Sequence, residues 1–317
     1  MKVIAFVGMP GAGKTEASNV ARELGMPVVV MGDVLREEVS KRGLAPTDEN
    51  IGGVAGQLRK EEGMDAIAKR CIPRIKAYEG RSNVVVVDGI RGIAEVEAFK
   101  GVFGDDFVLV KIDAPFEVRL ERLSRRGRSD DAGGADWLRQ RDERELSWGM
   151  GKAMEAADKS VTNLEPIERF KKEVRSILIR ESITTTVSAL VFPTEPEEKV
   201  VRAIRNVFPD ARLRMVRQKG YVDRLEGTAG LDHMHGLLRK QKILDTARSA
   251  MLSGLKGREI SFELNKQAAY MGCLNFLDHE VALGGIYVTI EYEEPRLIID
   301  WLAPETREGR PVEEIEL

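Results

Sequence analysis

The chain has 317 residues, 43% of them apolar and 32% charged, with 49 Lys+Arg against 52 Asp+Glu and a formal net charge of −3. Such a balance excludes a collagen, a coiled coil and a disordered polyelectrolyte, and the length predicts about two domains. It carries no chain-wide signature of nucleic-acid binding. Cys71 and Cys273 lie too far apart in sequence to suggest a disulfide framework or a metal spacing.

In chain order, the opening apolar run 2–8 is too short for a secretion signal, and no later stretch approaches the roughly 20 apolar residues of a membrane span. The expected location is the cytoplasm. Residues 1–180 predict strands over 2–8, 27–31, 83–88, 107–113 and 159–162. Helices are predicted over 14–24, 34–42, 64–77, 93–101, 116–126 and 168–179. Strands joined by helix-length crossovers predict an α/β fold, a doubly wound parallel sheet with helices on both faces. The runs 28–30 and 84–87 are valine throughout, as befits central strands buried on both sides.

The rhythm changes after Glu181. Predicted there are a strand over 182–192, a helix over 196–207, a strand over 212–218 and a long helix over 231–252. Strands follow over 259–264, 285–292 and 296–301, the last two joined through Glu294 and Pro295. This is an α+β pattern, so a smaller second domain is expected over 182–317, with a tail from Pro304 that frays. Charge in this part is segregated: residues 199–248 hold 12 basic and 5 acidic positions, and 249–317 hold 6 and 13.

The residues Gly8-Met9-Pro10-Gly11-Ala12-Gly13-Lys14-Thr15 match the phosphate-loop pattern G-x-x-x-x-G-K-[ST], between a predicted strand and a predicted helix. Glycines let the backbone wrap closely and aim N–H groups at phosphate oxygens, and the helix adds the positive end of its dipole. Lys14 is expected to reach the β- and γ-phosphates and Thr15 to hold Mg²⁺. Asp88, ending the third strand, is a second expected Mg²⁺ ligand. No Asn-Lys-x-Asp guanine signature occurs, so ATP is the expected nucleotide.

Four further segments resemble phosphate-loop kinases. Gly32-Asp33-Val34-Leu35-Arg36 resembles the G-D-x-L-R segment of adenylate kinases, and Asp88-Gly89-Ile90-Arg91 resembles their D-G-x-x-R segment. The stretch 118–123, followed by Arg125, Arg126 and Arg128, resembles the helix entering their arginine-bearing lid. Residues 157–163 resemble the closing strand and Asn loop of dephospho-CoA kinases. The resemblance implies that Arg36 and Arg91 hold the acceptor's phosphate and that Arg122 lies along the adenine. It implies that Arg126, with Arg128 or Arg141, neutralises the transferring phosphoryl group, and that Asp33 orients or deprotonates the acceptor. The glycine-containing stretch 47–59 is expected to be a mobile acceptor-binding segment ending at Arg59. Ile90 departs from the Phe-Pro pair of adenylate kinases, and the short lid has no cysteine to hold zinc.

The arrangement as a whole resembles a family of archaeal proteins that fuse a dephospho-CoA-kinase-like ATPase module to a small module with the fold of an RNA-binding ribosomal protein. The carboxy-terminal likeness is carried by 190–193, 239–242 and 265–273. In that domain Arg202, Arg205, Arg212, Arg214, Arg217, Lys219, Arg239, Lys240, Lys242 and Arg248 make 199–248 a candidate RNA-binding face. Aromatic support is scattered over Tyr221, Tyr270 and Phe276. The expected function is Mg²⁺-dependent phosphoryl transfer from ATP to a nucleotide or coenzyme-like small molecule. The alternatives are an RNA-associated ATPase and an ATP-dependent regulatory switch.

Overall fold

The four consecutive valines of 84–87 are all buried, because their strand lies in a sheet covered on both faces. The computed structural model describes the chain except residues 127–133, 165, 218–221 and 280, and except the side chains of Asp48 and Arg126. Expectations for Arg128, Lys219, Tyr221 and the Arg126 side chain therefore fall outside the described residues. Two compact units are present, Met1–Ser182 and Ile183–Leu317.

The first unit begins with β1 (Lys2–Val7), α1 (Lys14–Glu23), β2 (Val28–Val30), α2 (Met31–Lys41), α3 (Asp48–Glu62) and α4 (Ala66–Lys76). It continues with β3 (Val84–Asp88), α5 (Ile93–Phe103), β4 (Phe107–Asp113), α6 (Phe116–Arg126), α7 (Gly134–Ser147), α8 (Met150–Glu155), β5 (Lys159–Thr162) and α9 (Ile167–Ser182). The strands form one parallel sheet in the order β2-β3-β1-β4-β5. Side chains alternate along each strand, so Val3, Ala5, Val7, Val85 and Val87 enter one core layer. Ile4, Phe6, Val84 and Val86 enter the other. Phe99 lies fully buried in the first layer and Phe170 in the second. Chain order reverses at β1, which has β3 on one side and β4 on the other. A crevice outside the strand ends forms at such a reversal. Phe6 pairs with Asp88 in the β1–β3 register, which sets that carboxylate beside the loop leaving β1.

The predicted strands lie within a residue or two of their positions, whereas some helices differ. The stretch 47–59, expected as a mobile segment, is helix α3, and the Thr47 hydroxyl accepts from Asn50 N at 3.3 Å as its cap. Helix α2 starts directly at the end of β2 and already contains Asp33. Helices α7 and α8 had no predicted counterpart. They are separated at Gly149, whose φ of +89° suits glycine. Glu181 closes the unit by accepting from Lys2 and Lys159, each at 2.8 Å.

The second unit runs β6 (Thr184–Val191), α10 (Glu197–Val207), β7 (Arg212–Val216), β8 (Asp223–Thr228), α11 (Asp232–Gln241) and α12 (Leu244–Ser253). Then come β9 (Leu255–Lys256), β10 (Glu259–Asn265), α13 (Lys266–Tyr270), β11 (Gly285–Glu291) and α14 (Pro295–Leu302). Its sheet is antiparallel, in the order β7-β8-β6-β11-β10-β9. Val187, Ala189, Leu225, Ile260, Leu264, Ile286, Val288 and Ile290 are buried. Against this side pack α10, over β6, and α12, over β10.

Four readings of this unit are corrected. Residues 296–301, expected as a strand, are helix α14. Pro295 suits its first turn, and Ile298, Ile299, Trp301 and Leu302 are buried with helical spacing. The expected single helix over 231–252 is two, because Lys242 adopts a left-handed conformation with φ +57°. Strand β8 was not anticipated. Only Leu225 is fully buried in its sequence DRLEGT, which leaves little alternation to read. The tail from Pro304 does not fray. It makes a short antiparallel pairing of Thr306–Arg307 with Arg310–Pro311, Glu314 accepts from Arg239 at 2.6 Å, and Leu317 is buried.

Candidate nucleotide-binding site

Three backbone facts shape the turn from β1 into α1. Gly11 and Gly13 have φ of +78° and +112°, a region that disfavours other residues. A Cβ on Gly8 would lie 2.2 Å from the Ile112 carbonyl oxygen, and one on Gly13 would lie 2.0 Å from Asn163 Nδ2. The loop is therefore wrapped against β4 on one side and the residue following β5 on the other. Asn163 is buried and donates from Nδ2 to the Ala12 carbonyl at 2.8 Å. Arg122 in turn donates to the Asn163 backbone and side-chain oxygens, each at 3.2 Å.

Lys14 opens α1 and donates from Nζ to the Gly8 and Met9 carbonyls at 2.5 and 3.2 Å. Burial lowers its pKa to about 8, reinforced by the positive charge of Arg91 and opposed by Asp88. An enclosed ammonium whose burial cost outweighs the pull of Asp88 and Glu145 is predisposed to a strong anion.

The loop faces a cavity of about 910 Å³. Of the residues singled out in the sequence, Gly8, Pro10, Gly11, Gly13, Lys14, Thr15, Asp33, Arg36, Arg59, Asp88, Arg91 and Arg122 all line it. Met9 instead packs against the first core layer, and Ala12 is buried behind the loop. Arg141, on α7, also borders the cavity and lies over the Trp137 ring at 5.1 Å. Thr15 and Asp88 both line the cavity and offer hard oxygen donors, which fit Mg²⁺ and would not suit a soft metal.

Sequence reasoning missed the groups that brace these residues. Arg119 is buried, donates to the Pro10 carbonyl at 3.0 Å and grips both Asp142 oxygens at 2.9 and 2.6 Å. This bidentate pair ties α6 and α7 to the phosphate loop. Arg36 does not stand free, because it pairs with Asp33 within α2, Nε to Oδ1 at 3.1 Å. Arg59 donates to Glu95 at 3.2 Å and lies over Trp148 at 5.0 Å. Glu95 also accepts from the Arg91 backbone at 2.7 Å, while the Arg91 guanidinium pairs with Glu145. Burial pushes the Glu95 carboxyl up, against the pull of Arg59. Motif spacing signals none of this, for Glu95 and Glu145 sit in helices whose sequences read as ordinary charged faces.

Gly13→Ala is expected to damage the loop, since the new methyl requires both an unfavourable φ and displacement of Asn163. A loss of about 1–3 kcal/mol is expected, measured by urea unfolding, with a larger proportional loss of nucleotide affinity by calorimetry. Wild-type affinity in a stable variant would show that the loop does not form the site.

A parallel sheet with a glycine-rich loop after its central strand and a basic cavity at the strand ends defines a P-loop kinase-like domain, here followed by a separate antiparallel-sheet domain. Residues 7–139 match a family model described as an AAA domain, and residues 184–292 match one described as RNA binding. A UPF0200/UPF0201 protein of Archaeoglobus fulgidus is 52% identical over 321 residues, covering 100% of this chain and 98% of that protein. A UPF0200 protein of Methanosarcina acetivorans is 58% identical over 178 residues, 56% of this chain and 94% of that one. The crystal structure of a UPF0201 protein from Methanococcus jannaschii is 36% identical, covers 41% of this chain and 99% of that chain, and has a TM-score of 0.39. The chain belongs to the UPF0200/UPF0201 family.

Proposed function

We propose that the first unit is a Mg²⁺-dependent phosphotransferase that moves the γ-phosphoryl group of ATP to a nucleotide or coenzyme-like small molecule. One observation carries the reading: a phosphate-loop lysine shares its cavity with a strand-end carboxylate and with Arg36, Arg59, Arg91 and Arg122, more guanidinium groups than a pure ATPase would need. In this reading the backbone of 8–15 cradles the triphosphate, Lys14 offsets its β- and γ-charge, and Arg122 lies along the base. Thr15 and Asp88 would hold Mg²⁺, which would offset the negative charge of the phosphate oxygens. Arg126, with Arg128 or Arg141, is assigned the stabilisation of the transferring group. Arg36, Arg59 and Arg91 border the acceptor, and Asp33 orients it. In the cell the reaction is assigned to the cytoplasm. Among the described residues no helix is long and apolar enough to cross a membrane.

The test is a screen of nucleosides, nucleotides and dephospho-CoA with γ-labelled ATP and Mg²⁺. Labelled acceptor is the expected product. Release of label to water alone, across acceptors and a small-molecule cell extract, would count against a kinase.

A second reading, RNA association through the carboxy-terminal unit, is favoured by the RNA-binding model over 184–292. The basic residues of 199–248 are not one patch. Arg239 donates to Trp301 O and Leu302 O at 3.0 and 3.1 Å, and Arg248 to Asp300 and Ala303 O at 2.7 and 2.9 Å. Both staple α14 into the unit. Arg212, Arg214 and Arg224 border a shallow depression with Thr186, Ser188, Glu226 and Thr228 on the side of the sheet away from Leu225, where Arg214 is paired with Glu226 at 2.6 Å. This smaller face is the one assigned to a phosphate backbone. Filter binding of RNA is expected to weaken steeply between about 50 and 200 mM salt. Arg224→Ala is expected to flatten that dependence, and unchanged binding in this variant would remove the face from consideration.

A further inference from the structure

The arginines on the acceptor side of the cavity are already neutralised. Arg59 is paired with Glu95, Arg91 with Glu145, and Arg36 with Asp33. The first pair is almost wholly enclosed, with 8% and 2% of the two side chains exposed, and Glu145 is exposed by only 1%. At Arg59 and Arg91 an arriving phosphate would compete with a carboxylate that is itself enclosed, whereas Asp33 and Arg36 are each half exposed.

Glu145 has a second distinguishing feature. One carboxylate oxygen serves Arg91, while the other, Oε2, is buried without a hydrogen-bond partner. The side chain borders the cavity that also holds Lys14, Asp88 and Arg91, and its charge is felt by Lys14. An orphan carboxylate oxygen in a native site calls for a donor. That donor need not be a cation, because Arg91 already balances the charge. It cannot be a phosphate dianion, which has no proton to give.

We infer that Glu145 is a specificity-determining residue whose Oε2 accepts a hydrogen bond from an alcohol hydroxyl of the acceptor, so that the enzyme makes phosphomonoesters and not phosphoanhydrides. The inference rests on the phosphotransferase reading and narrows it. During transfer the acceptor oxygen forms a bond to the γ-phosphorus. The bond from that phosphorus to the β,γ-bridging oxygen breaks, its electron pair leaving on ADP, and the hydroxyl proton passes to Glu145. Arg91 holds the carboxylate in place, and Glu95 fixes Arg91 through its backbone N–H and Arg59 through its guanidinium.

The experiment supplies the full-length protein with ATP, Mg²⁺ and matched acceptors: adenosine with AMP, glycerol with glycerol phosphate, and a small-molecule cell extract. Phosphorus NMR then distinguishes a monoester product from an anhydride. Monoester formation is expected. Glu145→Gln replaces the accepting oxygen and leaves Arg91 uncompensated. It is expected to lower kcat/KM for the hydroxyl acceptor about 100-fold and to lower KM for phosphate-bearing competitors. Glu145→Asp keeps the charge but withdraws the oxygen, so it is expected to lose the first activity without gaining the second. It also provides the test if the Gln variant misfolds. An anhydride product in the wild type, or wild-type monoester formation by a folded Gln or Asp variant, would overturn the inference while leaving the kinase reading intact. Hydrolysis to free phosphate with no acceptor labelled would overturn both.

Discussion

Lys14→Ala is expected to reduce phosphoryl transfer roughly 10²–10³-fold, the loss of about 2.7–4 kcal/mol that follows removal of one preorganised group facing developing charge. The amine is held at the loop by the Gly8 and Met9 carbonyls and carries a pKa lowered to about 8 by burial and by Arg91. A triphosphate beside it favours the protonated form and raises that value. Above about pH 8 nucleotide binding must therefore take up a proton, and affinity is expected to fall as pH rises until the bound-state value is passed. Calorimetry in buffers of different ionisation heat reads this uptake directly. The dependence should vanish in Lys14→Ala. Retained transfer in that variant, or pH-independent binding in the wild type, would show that Lys14 does not face the phosphates.

Arg119→Ala is expected to have the largest effect on stability, about 3–5 kcal/mol, because one partner of an enclosed ion pair is lost and the other remains. Arg119 and Asp142 side chains are 7% and 13% exposed, and the same guanidinium satisfies the Pro10 carbonyl. The variant should lower the urea midpoint of the first unit, followed by fluorescence of Trp137 and Trp148, two of the three tryptophans. Pairing it with Asp142→Asn should recover part of the loss, since the stranded carboxylate is then neutral. Additive effects of the two substitutions would mean that the pair is not coupled.

Glycines and the lysine of the phosphate loop were legible because the chemistry is written in eight adjacent residues between a strand and a helix. Asp88 was legible because a valine run ended on it. What braces them was not. Asn163 reaches Ala12 across 151 positions, Arg91 reaches Glu145 across 54, and Arg119 reaches Asp142 across 23. Each partner is an ordinary charged or amide residue until the fold closes. The period of helix α14 is hidden because Leu297 to Leu302 is apolar at nearly every position, and Pro295 suits a turn between strands as well as the first turn of a helix. The break at Lys242 carries no glycine to announce it. Counting Arg239 and Arg248 toward a basic face assumed free cations, whereas both satisfy backbone carbonyls.

The four-membered chain Arg59–Glu95–Arg91–Glu145 spans α3, α5, the loop after β3, and α7. Its two cations and two anions sum to zero, and Arg59, Glu95 and Glu145 are enclosed, so a change at one member leaves an odd charge that only Arg91, 44% exposed, can share with water. Such positions are constrained to drift in concert, and homologous chains should exchange them as matched sets or keep them all.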